Sequence, residues 1–570
     1  MLYPKTRGES KHTVSSFQTY IFLIYTKESV SVSYCSITAK ELPAGWLKQF
    51  VKDLKTKLCL CRCAFRLPAI LSSTLAYLQL MCYTALVCET SLSKMTEFFD
   101  FFLFSTTNST GRLFTYMNDF QNFLDQAANV KPSKRQLRWF DTEFYAFVHL
   151  SPNTFTGLEW GLGNEDPAIF NPAKLDCNQW VEAIKSAGMK GLVITAKHHD
   201  GFCLWLTKQT EHSVLHSPFK RDIVKECAQA CQRGGIKFGF YLSPWDRHSP
   251  LYGDGTGAYN EYYKAQLLEL LTGYGDVFHV WFDGACGEGP NGKKQEYAFH
   301  EFIELIRRYQ PEATIYNDRG PDVRWCGNEA GIARYAEWAV VPSELCSLAQ
   351  VQTGPSPIHG DLSFMQNCDM QIGDLSNIMY SKGLVFAGAE IDMSIRKGWF
   401  WHEEEEPHSL DKLFATYLRS VGANACLHLN IPPNRDGLFD DRDVRRLAEL
   451  GTLLKKEFGQ NHAQGCKTLR TKRYSDTQCV YEVKLPQTVP IRYVELQEDI
   501  AKGQRVEAFT LEFFGEDGKT LMEGTYSGTC IGHKKICAIA KDMWECKGRG
   551  VRLTIRAARG VPEMLPIKIY

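Results

Sequence analysis

At 570 residues the chain is longer than one ordinary domain, which runs to roughly 100–200 residues, and two folded domains behind an N-terminal extension are expected. Lys plus Arg and Asp plus Glu both total 65, so the formal net charge is zero and the electrostatic footprint of a nucleic-acid or polyanion binder is missing. Aromatic residues make up 12% of the chain, which suits the apolar faces of sugar rings as well as it suits a core, and composition alone does not choose between the two.

The extension is placed at residues 1–135. Its first sixteen residues are polar and basic and carry no apolar run of signal-peptide length. Residues 67–88 (LPAILSSTLAYLQLMCYTALVC) hold no charge, follow Lys55, Lys57, Arg62 and Arg66, and are about long enough to span a bilayer. The segment reads as a signal anchor, an internal secretory signal, or an ordinary signal peptide if the true start lies downstream of Met1; uncleaved, it would tether the protein to a membrane. Asn108-Ser-Thr110 is an N-glycosylation acceptor just beyond it, in keeping with the secretory pathway and an extracellular or lysosomal destination. The 20 cysteines lack the paired spacing of a zinc site, and several fall inside expected elements, such as Cys227 and Cys231 on a helical stretch and Cys426 in a strand-like run. These read as buried thiols.

From about residue 140 apolar runs and helical patterns alternate, as in repeated βα units. The expected strands are 144–149, 190–200, 236–241, 277–283, 314–319, 336–341, 390–394 and 426–430, with helices at 179–188, 221–233, 259–271, 297–308 and 411–420 between most of them. Eight strands in this rhythm predict an α/β fold, a (β/α)8-like TIM barrel over residues 136–460. An amphipathic helix at 441–458 precedes a change to short alternating runs, among them 480–485, 505–514 and 550–555. Residues 461–570 are therefore expected to form a β-sandwich.

The run at 277–284 ends a buried strand on Asp283 and Gly284, and in such barrels the chemistry sits at the C-terminal ends of the strands. Other strand ends present His149, His198, His199, Tyr241 and Arg319, with Glu159, Trp160 and Glu329 nearby, which predicts a polar, aromatic pocket holding two candidate catalytic carboxylates. Glycoside cleavage needs two such groups, one at the anomeric carbon and one to protonate the departing oxygen, and Asp283 and Glu329 are the candidates. A metal centre on His198, His199 and Asp200 is the first rival. It is disfavoured because adjacent strand residues face opposite sides. A catalytically silent sugar-binding protein is the second rival, and the presence of both carboxylates argues against it. Cys203 as a nucleophile lacks a partnering base.

At this point the chain resembles glycoside hydrolase family 29, the retaining α-L-fucosidases. The resemblance rests on His149 with Pro152-Asn-Thr-Phe-Thr and Glu159-Trp-Gly161, on Thr195-Ala-Lys-His198-His199-Asp200, and on Tyr241-Leu-Ser-Pro-Trp-Asp-Arg247. Trp281-Phe-Asp283-Gly284, the run from Gly320 to Gly331 around Glu329, Ser394-Ile-Arg-Lys-Gly-Trp399-Phe-Trp-His402 and Leu429-Asn-Ile-Pro-Pro433 follow in order. It implies a retaining exo-glycosidase that releases terminal α-L-fucose from fucosylated oligosaccharides or glycoproteins. The surroundings of Glu329 and the Pro244–Arg247 run resemble the branch that prefers α-1,3 and α-1,4 linkages. By the same resemblance Asp283 is the nucleophile and Glu329 the acid/base; His149, Glu159, Trp160, His198, His199, Tyr241 and Arg319 bind or frame the fucose, and Trp281 walls the pocket. No cofactor or metal is implied. Glu329 is expected to have a raised pKa and Asp283 to stay ionised. Two features depart from the family pattern: His149 is followed by Leu150-Ser151 rather than an aromatic and a glycine, and the segment at 217–222 is short. Asp246, Arg247 and Trp399 are read as framework or outer-subsite residues.

Overall fold

The computed structural model describes residues 18–25, 30–37 and 110–570, apart from 319, 345–371, 523 and 540–546. The chain divides into two units, Met1–Thr107 and Asn108–Tyr570. In the first, β1 (Gln18–Tyr25) and β2 (Val30–Ile37) pair antiparallel, a hairpin the sequence reading did not pick out. Residues 67–88 lie outside the described residues, as do Asn108 and Arg319. No described helix is long and apolar enough to cross a membrane.

The second unit begins with helices α1 (Thr110–Ala128) and α2 (Lys134–Phe140), the latter opened by a Ser133/Gln136 capping box. The βα alternation then follows. β3 (Phe144–Val148), α3 (Cys177–Ser186), β4 (Gly191–Lys197), α4 (Ile223–Gly234), β5 (Lys237–Leu242), α5 (Ala258–Gly273), β6 (His279–Trp281), α6 (Phe299–Tyr309) and β7 (Thr314–Tyr316) lie where the periodicity puts them, with end shifts of a residue or two in most cases. β3 and β4 are buried at every position, which is why they read as unbroken apolar runs.

The sixth strand is not the one expected. β8 (Val323–Trp325) pairs with β7 after a short link without a helix, whereas β9 (Val340–Pro342) pairs antiparallel with β10 (Leu384–Phe386) in a separate two-stranded sheet. Only three residues of β8 enter the barrel and one is Arg324, whose buried guanidinium meets Glu337 and the carbonyl of Trp338. So short a strand carries no apolar run to read, while the outlying segment does. β11 (Gly388–Ser394), α7 (Leu410–Ser420), β12 (Ala425–Asn430) and α8 (Asp441–Phe458) complete the unit. The eight parallel strands close in the order β11-β12-β3-β4-β5-β6-β7-β8, confirming the TIM barrel.

Beyond α8, one sheet holds β13 (Leu469–Arg473), β14 (Cys479–Pro490), β19 (Lys547–Ala558), β16 (Val506–Phe513) and β17 (Tyr526–Gly528) in that order. The other holds β18 (Lys535–Ala538), β15 (Tyr493–Leu496) and β20 (Lys568–Ile569). Alternate residues such as Val483, Leu511 and Leu553 make the sandwich core. The sandwich packs on the barrel through Phe458 against Tyr493 and Tyr570, and through Arg559 over the ring of Trp338.

Inside the barrel a polar network lies among buried aromatic side chains such as Phe147, Tyr241 and Tyr316. Glu390 of β11 accepts hydrogen bonds from Tyr145 Oη, from Trp281 Nε1 at 2.7 Å and from His428 Nδ1 at 3.0 Å, and His279 Nε2 lies 3.1 Å away. All five side chains are buried, and after the cost of burial the two imidazoles hold the Glu390 carboxyl well below the usual carboxylate range. Glu390→Ala would leave four polar groups facing one another without their common acceptor. A loss of about 3–5 kcal/mol is expected, measured as a lowered denaturant midpoint; an unchanged midpoint would show that the network contributes no stability.

Candidate active site

Along β6 the inward-facing positions are His279 and Trp281, and Asp283 follows two residues past the strand end, at the barrel mouth. There Asp283 Oδ1 accepts the Ala285 N–H at 2.6 Å, and Oδ2 accepts the Tyr241 hydroxyl at 2.9 Å. His199 Nε2 stands 3.6 Å from the same oxygen. Gly284 is required next to it, because a Cβ there would strike the Asp318 carboxylate. Burial lifts the Asp283 carboxyl to about 6, against the opposing effect of those hydrogen bonds.

Tyr241, the fifth residue of β5, is buried and stacks between Trp281 (ring centroids 5.2 Å) and His198 (5.7 Å). Trp281 lies one layer below the mouth with its N–H committed to Glu390, so it backs Tyr241 from inside the barrel. His198 and His199 follow the last residue of β4, and their rings lie 4.2 Å apart in the same pocket. The expectation that they face opposite sides fails because the strand has ended at Lys197 and alternation no longer applies. Even so, no cluster of three or more metal-ligating side chains occurs among the described residues.

Three imidazoles converge here, and burial holds all three neutral. His149 and His199 are pushed down to about 3, with neighbouring imidazoles adding at His149 and Arg247 and Lys197 adding at His199; His198 is held well below the usual imidazole range, again by burial and by the neighbouring imidazoles. Their partners assign the protons. Ser243 Oγ donates to the carbonyl of Trp245, so it accepts from His199 Nδ1 at 2.8 Å. Asn430 Nδ2 donates to Ser394 Oγ and the carbonyl of Trp399, so its Oδ1 accepts from His149 Nδ1 at 2.9 Å. Both rings therefore turn an unprotonated Nε2 outward, ready to accept from a hydroxyl. The buried His198 Nδ1 has no hydrogen-bond partner among the described residues.

The Leu150-Ser151 departure is accommodated. Ser151 Oγ donates to Asp200 Oδ2 at 2.7 Å and ties the loop after β3 to the loop after β4, while burial raises Asp200 to about 7. Beneath these loops a fully buried Lys197–Asp246 pair at 3.0 Å, joined by Gln266, fixes the end of β4. Asp246 is thus framework, as read. Buried Cys203, with a thiol pushed well up by desolvation, is inert at neutral pH.

Trp399 is the residue the sequence reading underrated. Its N–H donates to Glu159 Oε2 at 2.7 Å, its indole Nε1 to Glu329 Oε2 at 3.2 Å, and its ring lies 5.1 Å from that of His149. Glu159 also meets His402 Nε2 at 3.0 Å, and only a glycine at 398 leaves room for that carboxylate. The signal was present in the quoted Ser394–His402 motif; what sequence did not reveal is that one tryptophan touches both glutamates. Trp160 stands exposed at the rim, edge-on to His199 and Trp245. Glu329 is the more exposed of the two candidate catalytic carboxyls, and its pKa is raised by desolvation and by the charges of Asp283 and Glu159, against the Trp399 hydrogen bond. Both carboxyls are therefore raised rather than driven apart, because the strand end buries Asp283 as well. Asp392, unremarked in the sequence, is a third carboxyl below them, buried and accepting from Trp325 Nε1.

The sequence model of the family described as Alpha-L-fucosidase matches residues 129–338 and 295–458. The chain belongs to glycoside hydrolase family 29, the α-L-fucosidases. It is 35% identical over 467 residues to alpha-L-fucosidase 1 of Arabidopsis thaliana, covering 77% of this chain and 87% of that one. A solved family 29 glycoside hydrolase from an unknown rumen bacterium is 36% identical with a TM-score of 0.66, covering 78% and 77%. A Ruminococcus gnavus family 29 fucosidase in complex with fucose is 29% identical, also with a TM-score of 0.66, covering 78% and 95%. This α-L-fucosidase family member is accordingly a glycoside hydrolase that releases fucose.

Proposed function

We propose that this enzyme is a retaining exo-fucosidase acting on terminal α-1,3- and α-1,4-linked L-fucose of branched glycans, with Asp283 as nucleophile and Glu329 as acid/base. The observation that carries this reading is the Asp283 carboxylate at the end of β6, oriented by Tyr241 and Ala285 and close enough to Glu329 for its charge to raise that group's pKa. In the first step an Asp283 oxygen bonds to the anomeric carbon as the bond to the leaving oxygen breaks, and Glu329 gives that oxygen its proton. In the second, Glu329 takes a proton from water, whose oxygen displaces Asp283 from the anomeric carbon and frees L-fucose.

Fucose offers three hydroxyls and an apolar methyl face. The outward Nε2 atoms of His149 and His199 suit hydroxyl donors, His198 adds a third imidazole, and Trp399 and Trp160 offer apolar faces. Glu159, Tyr241, Trp281 and Arg319 complete the set by resemblance to the family; the fucose bound in the Ruminococcus gnavus relative supports the same sugar here. The uncharged run at 67–88 favours a place in the secretory pathway.

Asp283 must be ionised to attack, so kcat/KM is expected to fall as pH drops through about 6, where burial holds that carboxyl. Glu329 must be protonated, so activity should fall again as pH rises through its raised pKa. A bell-shaped profile results, and Glu329→Gln should lose the alkaline limb on an aryl fucoside. An acid limb near 4 would contradict the buried setting of Asp283. The linkage reading is tested by fucose release from α-1,3/4- and α-1,2-linked oligosaccharides: release confined to the former is expected, and equal release from both would remove it.

A further inference from the structure

A cavity of about 250 Å3 has a lining that includes Glu329, Trp399, Ser394, Lys397, His408 and Lys412. It shares Glu329 and Trp399 with the fucose pocket and none of His149, His198, His199, Tyr241 or Asp283. Given Glu329 as the acid/base, a cavity that touches that carboxyl and is lined by none of the three histidines is where the leaving sugar would sit. This inference therefore rests on the proposed function.

Apart from Glu329, the charged side chains lining the cavity are cationic. Lys397 and Lys412 are exposed, and neither meets a carboxylate within ion-pair distance among the described residues. Lys412 Nζ donates to His408 Nε2 at 3.0 Å, which leaves two of its three protons for other acceptors. The His408 ring is held neutral by burial and by that ammonium, so it accepts rather than competes. Arg396 also lines the cavity, but its guanidinium is committed to Asp443 and to the carbonyls of His402 and Glu405. In the adjoining acidic run 403–406, Glu405 accepts the Gly398 N–H at 3.1 Å, and Glu406 pairs with Arg442 at 2.8 Å. Two ammonium groups thus face the cavity, neither ion-paired with a carboxylate among the described residues.

We propose that this cavity is an anion-accepting subsite, and that the preferred leaving group is a saccharide bearing a sulfate ester or a carboxylate held by Lys397 and Lys412. A neutral leaving sugar would fit the same space without engaging either charge. Because both lysines are solvent-exposed, the gain is modest and screened by salt.

The test compares kcat/KM for three fucosylated oligosaccharides whose leaving sugar is neutral, sulfated or carboxylated, with wild-type enzyme and the Lys397→Gln/Lys412→Gln variant at low and high ionic strength. At low salt, at least one acidic substrate is expected to be preferred by about three- to tenfold, as two exposed ion pairs allow. That preference should vanish in the variant and in high salt, with the neutral substrate unchanged; which acidic substrate gains identifies the anion. A preference that survives the substitutions, or equal handling of all three by active enzyme, would overturn the proposal. Calorimetric titration with the defucosylated acidic and neutral saccharides gives a readout free of catalysis. Tighter acidic binding, lost in the variant, would support the subsite even if no fucose were released, and that lack of release would count against the fucosidase reading alone.

Discussion

Asp283→Ala is expected to lower kcat by about 10⁴-fold or more, the scale seen when a covalent nucleophile is removed. The fold should survive, because Asp283 sits past the end of β6 and its partners, Tyr241 Oη and the Ala285 N–H, are at the mouth where water can replace it. The variant also opens a route that only a nucleophile's absence allows. With an aryl fucoside, whose leaving group needs little protonation, azide should enter the space left by the carboxylate and give a fucosyl azide of inverted configuration. Recovery of that product locates the nucleophile. Activity within tenfold of wild type in the folded variant would remove Asp283 from the role.

Glu329→Ala should behave differently. Loss of a general acid costs about 10²–10⁴-fold, but only where the leaving oxygen needs a proton. Release from a natural disaccharide linkage is therefore expected to fall by that amount, while the first step on an aryl fucoside is largely spared and the hydrolytic second step becomes limiting, seen as a burst of phenol. Trp399→Phe removes the indole N–H that reaches Glu329 Oε2 and should produce a weaker form of the same pattern. A uniform loss across leaving groups would point to a binding role for Glu329.

Much of this site was legible in the sequence because barrel strands are read by burial and their ends by polarity. A run such as 277–284 announces both the strand and the carboxylate at its mouth. β8 escaped because three residues, one of them Arg324, carry no periodicity, and the apolar Val340–Pro342 took its place in the reading. The shared orientation of His198 and His199 escaped because alternation was carried past Lys197, where the strand stops. The polar network around Glu390, and the reach of Trp399 to both Glu159 and Glu329, depend on contacts between residues 70 to 245 positions apart. No local pattern encodes those. The raised pKa of Asp283 was not legible for a related reason: whether a strand-end acid is solvated depends on what the neighbouring loops cover.

Whether the fucosyl group is passed through Asp283 is tested most directly by the anomeric configuration of the first-formed fucose. Proton NMR of an aryl α-L-fucoside digested in deuterated buffer should show α-L-fucose first, with the β anomer growing in only by mutarotation, as two displacements at one carbon require. β-L-fucose as the first product would mean a single displacement by water, and would contradict the assignment of Asp283 as nucleophile.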